Sequence, residues 1–319
     1  MSPLPPDKLS KKWLEQLTTI AIFALLILGF GCSLCQKQKE RSNPQNLATL
    51  PIPKVVAPSI TKPPTLTRIP KGIPTHRAPK ISANAAIVID AKTGETFFEK
   101  NADSPLPVAS TQKILTALVT LEEGPLDELI PISLAAAMQI PSKAGLLWRH
   151  SYSRKDLLEA TLIQSANDAA VALAEAKNYN QFIQKMNKKA ASLGATSSRF
   201  TNPHGLDDPN QFSTARDLSR IAFHAYRNPI IREICIKPKM SFKRSPTDIA
   251  YLQNTNRLIL KTPFNGMKGG FTLDSGKTLI ATAQKKDKEA ILILLKTNPS
   301  AIHAETIKLW KWFIKTIQH

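Results

Sequence analysis

Apolar and polar positions divide the chain into three stretches of different character. An uncharged apolar run extends from Leu17 to Cys35, with IAIFALLILGF at Ile20–Phe30 as its centre. It is close to the ~18–20 residues that a helix needs to cross a bilayer. Lys8, Lys11 and Lys12 precede it, and Lys37, Lys39 and Arg41 follow, so flanking charge gives little orientation. The run reads as a signal anchor, with a cleaved signal peptide as the rival; Gly31–Cys32 resembles a lipoprotein cleavage site, although Gly29 and Phe30 fit the preceding positions poorly. From Gln36 to Lys80 the apolar pattern is lost. Pro44, Pro51, Pro53, Pro58, Pro63, Pro64, Pro70, Pro74 and Pro79 stand among lysine, arginine and threonine. Proline fixes φ and removes a backbone donor, so this stretch reads as an extended tether. At ~3.1 Å per residue it reaches on the order of 100 Å.

The third stretch carries regular periods. AAIVID at Ala85–Asp90 and ETFFEK at Glu95–Lys100 flank a turn at Ala91–Gly94, which predicts a hairpin. TLIATAQ at Thr278–Gln284 and EAILILLKT at Glu289–Thr297 predict a second hairpin across Lys285–Lys288. Helical spacing marks Ile114–Leu121, Lys155–Ala176, Tyr179–Leu193, Ala215–Tyr226 and Ala304–Ile317. Strands at both ends with helices between predict an α/β fold: one antiparallel sheet built from both chain ends, flanked by helices. The organisation expected is a membrane anchor or signal segment at 1–35, a basic proline-rich linker at 36–80 and a folded domain at 81–319.

Composition narrows this picture only in part. Hydrophobic residues make up 42% of the 319 positions, enough for a sizeable core, and aromatics only 6%, so that core is mainly aliphatic. The net charge of +19 suits nucleic acid, anionic lipid or an acidic polymer equally. Basic and aromatic residues do not interleave, and the apolar run points away from the cytosol, so nucleic acid is not the expected partner. Cys32, Cys35 and Cys235 form no disulfide framework, and neither the lone C-x-x-C nor the six histidines show metal-ligand spacing.

The candidate chemistry lies in three short elements in a fixed order. They are Ser110–Thr111–Gln112–Lys113, Ser165–Ala166–Asn167 and Lys268–Gly269–Gly270. S-x-x-K, S-x-N and K-T-G in this order belong to the β-lactamases and penicillin-binding proteins. Each alone is weak. The chain also holds an S-x-x-K at Ser59–Lys62, an S-x-N at Ser82–Asn84 and a literal K-T-G at Lys92–Gly94. Context separates them. Ser110 opens an apolar helix, and Lys113 projects from the same side three residues on. A serine hydroxyl needs a base, and a lysine can be that base only when desolvation leaves it uncharged. Polar SAND interrupts a helix and would set Ser165 and Asn167 on a cleft wall. The stretch around Lys268 joins glycines to β-formers, so an extended peptide could dock on its edge. Ser110 could instead be an N-cap beside a surface lysine, Ser165 a helix cap, and Lys268 part of a loop.

At these residues the chain resembles the D-alanyl-D-alanine carboxypeptidases, the low-mass penicillin-binding proteins of the S11 type. The resemblance runs from about Ala85 to Phe313 and includes AAIVIDAKTGETFFEKNAD, LPVASTQKILTALV, LIQSANDAAVALAE, FTNPHGLDDPNQFSTARDLSRIA and GMKGGFTLDSGKTLIATA. It implies a β-lactamase/transpeptidase-like fold with a mainly helical subdomain. Ser110 resembles the acylated serine and Lys113 its activating base, with Ser165 the third catalytic residue. Asn167, Lys268, Gly270, Phe271 and Thr272 match substrate-binding positions. The N–H groups of Ser110 and Phe271 would form an oxyanion hole. The implied substrates are peptidoglycan stem peptides ending in D-Ala-D-Ala, and β-lactams would acylate Ser110; no cofactor or metal is implied. His204, in a matching loop, is expected to be structural.

Three features depart from the family. Gly269 stands where threonine is usual, and no arginine follows Arg257, although these enzymes often use a late arginine for the substrate carboxylate. Thr272 or nearby lysines are the expected substitutes, and carboxypeptidase and endopeptidase activity both remain open. The sequence ends at its last helix, so the N-terminal segment is expected to anchor the domain. A β-lactamase is disfavoured because no E-x-x-L-N stretch matches the deacylating glutamate. A catalytically weak wall-binding scaffold is the non-enzyme alternative.

Overall fold

The computed structural model describes residues 78–317. The expected anchor and nearly all of the proline-rich tether lie outside these residues. Among the described residues no helix is long and apolar enough to cross a membrane.

The two predicted hairpins join into one antiparallel sheet. Its strands are β1 (Ala85–Asp90), β2 (Thr96–Lys100), β7 (Phe264–Thr272), β8 (Gly276–Lys285) and β9 (Lys288–Thr297), in the order β2-β1-β9-β8-β7. Asp90 makes the first turn, its carboxylate accepting from Lys92 N and Thr93 N, and Gly94 supplies φ 79°. Lys92–Gly94 is thus a turn and not an active-site element. β9 lies at the centre, and its apolar run is buried on both faces. Ile291, Ile293 and Leu295 face one core; Ala290, Leu292 and Leu294 face the other. Period-2 alternation therefore sorts a continuous apolar strand between two helical layers.

The outer layer is the last helix, α8 (Ile302–Thr316), which buries Ile302, Leu309, Trp310 and Phe313. Glu305 in its first turn accepts from Ser82 N and Ala83 N, which ties the start of the domain to its end. The other face carries α1 (Lys113–Glu123) and α6 (Ala215–Arg227). Residues 113–120 of α1 are all buried, so this helix is enclosed on every side. That enclosure takes Lys113 out of water.

A third core forms the helical subdomain. It gathers β3 (Leu129–Pro131), α2 (Leu134–Ala137), β4 (Ser151–Ser153), α3 (Arg154–Ile163) and α4 (Asn167–Glu175), with α5 (Tyr179–Ser192) alongside. α7 (Pro229–Ile236), β5 (Lys239–Ser245) and β6 (Asp248–Gln253) complete the described elements, together with a 3₁₀ turn at Arg257–Leu260. The helix expected over Lys155–Ala176 is two helices, broken at Gln164–Ala166 where SAND predicts a break. α7, the β5–β6 hairpin and the short β3–β4 pair are elements the apolar pattern does not reveal.

Candidate active site

The nucleophile segment differs from expectation in one respect. Ser110 sits in a 3₁₀ turn, Ala109–Gln112, that leads into α1, and not in an α-helical turn. The 3₁₀ repeat of three stacks residues i and i+3 directly, and Lys113 Nζ lies 2.9 Å from Ser110 Oγ. Neither Ser110 nor Gln112 caps a helix through its side chain. Lys113 is fully buried, so the reading of a cap beside a surface lysine fails.

Two other groups hold the Lys113 amine. It donates to Asn167 Oδ1 at 2.7 Å and to the His204 carbonyl at 2.5 Å. Asn167 is fixed in turn, because its Nδ2 donates to the Ile140 carbonyl at 3.1 Å. Both ends of its amide are thus committed, and it holds the Lys113 amine in place. Burial pushes the Lys113 pKa well below the usual lysine value, and the charge on Lys268 adds to that depression. A neutral amine has two N–H groups and one lone pair. With the N–H groups on Asn167 and His204, the lone pair is left for the Ser110 hydroxyl proton.

Ser165 lies two residues before Asn167, at φ 64°, and is buried. The cap of α4 is Ala166, so Ser165 is not a cap. Among the described residues its hydroxyl makes no hydrogen bond to Ser110 or Lys113.

Lys268 is in β7, not a loop, and is fully buried. Its Nζ donates to the Gly269 carbonyl at 2.9 Å and to Thr255 Oγ1 at 3.3 Å. Burial lowers its pKa to about 7. The unfolded chain binds more protons than the folded one between about pH 7 and the ordinary lysine value, so this group opposes folding below that window and ceases to do so above it. Replacing Lys268 with Met should raise stability at pH 7 by about 1–4 kcal/mol. Denaturant titrations at pH 7 and pH 10 check this: the gain should shrink at the higher pH.

Gly270 brings the β7 edge against the nucleophile. A Cβ there would stand 2.8 Å from Ser110 N and 2.9 Å from Ala109 Cβ, so only glycine keeps the Ser110 N–H open. Phe271 follows and is half exposed at the cleft rim. Thr272 does not present a free hydroxyl. It donates to Asp207 Oδ1 at 2.6 Å and is tied to Ser275. A carboxylate beside it repels a second carboxylate, so Thr272 is a poor substitute for the missing arginine.

Two contributions escape sequence reading. The His204 carbonyl is a backbone group, which residue type does not announce. The His204 imidazole, pushed down to about 3 by burial and by Lys113, stays neutral and accepts from Leu206 N. Thr255 bridges the two walls: its N donates to the Ile163 carbonyl, while its hydroxyl receives Lys268.

The D-alanyl-D-alanine carboxypeptidase family model matches residues 73–298. The chain belongs to this family, the S11 peptidases. A D-alanyl-D-alanine endopeptidase of Escherichia coli K12 is 32% identical over 249 residues, 75% of this chain and 79% of that protein. The crystal structure of the Streptomyces K15 DD-transpeptidase matches with a TM-score of 0.70 and 27% identity, covering 74% of this chain and 98% of that one. Penicillin-binding protein D2 of Listeria monocytogenes, solved in its ampicillin-bound form, matches with a TM-score of 0.63 and 31% identity, over 73% and 98% of the two chains. The S11 membership and the shared fold make this chain a serine-type peptidase of penicillin-binding architecture. Of the residues predicted from S-x-x-K, S-x-N and K-G-G, the structure brings Ser110, Lys113 and Asn167 together by hydrogen bonds and sets the Gly270 backbone against Ser110 N, whereas among the described residues Ser165 makes no hydrogen bond to Ser110 or Lys113.

Proposed function

We propose that this S11 peptidase hydrolyses the D-Ala–D-Ala bond of peptidoglycan stem peptides through an acyl-enzyme on Ser110. The observation that carries this reading is the buried Lys113 amine, 2.9 Å from Ser110 Oγ and held by Asn167 and His204. Lys113 takes the hydroxyl proton as Ser110 attacks the carbonyl carbon. The N–H groups of Ser110 and Phe271 receive the oxyanion. The C–N bond then breaks, and the leaving amine takes its proton from Lys113, with Ser165 on the path. Water, deprotonated by the same amine, attacks the ester and frees Ser110. A β-lactam enters by the same attack, but its leaving nitrogen stays attached. Incubating the chain with a pentapeptide and measuring released D-Ala tests the reading; no release from wild type would refute it.

A second reading has its own support. A carboxypeptidase must bind a free terminal carboxylate. Here Gly269 has no hydroxyl, Thr272 is paired with Asp207, and the buried Lys268 is depressed to about 7. This rim suits an endopeptidase, whose substrate continues past the scissile bond. Cross-linked peptide dimers should therefore be cleaved faster than pentapeptide. A Cβ on Gly269 would meet nothing closer than 3.9 Å, so the backbone there admits a side chain. Gly269→Thr should raise D-Ala release about tenfold, the worth of one hydrogen bond to a charged group, and leave dimer cleavage nearly unchanged. Equal effects on both substrates would argue against this preference.

The Leu17–Cys35 run supports a membrane tether that carries residues 81–319 on the extracytoplasmic side across the proline-rich linker. Protease added to intact spheroplasts should then degrade the domain.

A further inference from the structure

Gln112 stands between the nucleophile and the base, fully buried, and no chemical step uses it. Its Nε2 donates to the Asn202 carbonyl at 2.6 Å and lies 3.4 Å from Asn202 Oδ1. Asn202 gathers the facing loop. Its Oδ1 accepts from Gly205 N at 2.8 Å and His204 N at 3.3 Å, its Nδ2 donates to the Leu206 carbonyl at 3.1 Å, and its own N donates to Gln211 Oε1 at 3.2 Å. Thr116 makes a second tie from α1, donating to the Pro203 carbonyl at 2.7 Å. The His204 carbonyl that holds Lys113 lies just beyond these ties.

We propose that Gln112 is a positioning residue. Through Asn202 it sets the His204 carbonyl against the Lys113 amine and so aims the amine at Ser110 Oγ. An amine with two fixed acceptors has one orientation left for its third direction. With one acceptor displaced it turns about its Cε–Nζ bond. A misplacement of about 1 Å near a reacting group costs on the order of 100-fold in rate. Stability is not the main use of this side chain, because Gln112 Oε1 is buried with no partner among the described residues. A half-satisfied buried amide contributes little net stability, and methionine has nearly its length.

The inference rests on the proposed acyl-enzyme. Its test uses the full chain and a fluorescent penicillin in stopped flow, where concentration dependence separates initial binding from the limiting acylation rate. Gln112→Met should lower the limiting rate about 10–100-fold, with initial binding nearly unchanged and a Tm lowered only by the one buried carbonyl, Asn202 O, that it strands. Gln112→Leu should do the same. In a Lys113→Met background Gln112→Met should have no further effect, as expected for a residue acting only through that base. Acylation at the wild-type rate, an additive loss in the Lys113→Met background, or variants that fail to fold would each overturn the inference. If wild type itself is not acylated, the functional reading fails first.

Discussion

Ser110→Ala should abolish fluorescent-penicillin labelling and D-Ala release while leaving the fold intact. The other serines near the cleft cannot replace it. Ser165 makes no hydrogen bond to Lys113 among the described residues, and the Ser82 and Ser59 motifs lie before β1 and outside the described residues, respectively. The stability cost is small, because the Ser110 hydroxyl makes only a 3.3 Å bond to the His204 carbonyl and otherwise lies 2.9 Å from the Lys113 amine. Losing a bond of that kind costs about 1 kcal/mol or less. Gel fluorescence and a thermal melt on the same preparation check both halves. Residual labelling at the wild-type level would show that another residue is acylated.

Lys113→Met should slow acylation about 10³-fold, within the range for loss of a positioned general base, and equivalent to ~4 kcal/mol of barrier. It should also stabilise the protein, an unusual direction for a buried substitution. Lys113 is fully buried on the enclosed helix α1, and burial already disfavours its charged form. Methionine fills the same volume without the desolvation cost. The variant does strand Asn167 Oδ1 and the His204 carbonyl, which offsets part of the gain. Lower acylation together with a raised Tm separates a base kept for chemistry from one kept for packing. A lowered Tm with little loss of acylation would indicate a structural lysine.

The sheet was legible because β1 and β9 are apolar over most of their length. AAIVID and EAILILLKT admit few other readings when turns of charged or glycine residues bound them. α1 and the break at Gln164–Ala166 were legible for similar reasons: a strong apolar helix, and a polar interruption of one. The β5–β6 hairpin was not, since its buried apolar side chains are Phe242 and Leu252 among lysine, arginine, serine and aspartate. α7 carried a readable start in Asn228, whose side chain accepts from Ile230 N and Ile231 N, followed by Pro229 at the first turn. The three motifs named the side chains that carry chemistry. They could not name the His204 carbonyl or the Gln112–Asn202 tie, because a backbone acceptor has no residue type and a bond spanning 90 positions has no local period. The commitment of Thr272 to Asp207 was equally invisible, and it is one of the grounds for the second reading proposed above.

The claim beneath the rest is that Lys113 holds a lone pair, not a third proton, when substrate arrives. Nitrogen-15 spectra of lysine-labelled protein across a pH titration observe this directly, with Lys113→Arg assigning the signal. The account predicts that the Lys113 amine loses its proton at a lower pH than the surface lysines. A Lys113 signal that stays in the ammonium form up to pH 10 would contradict it.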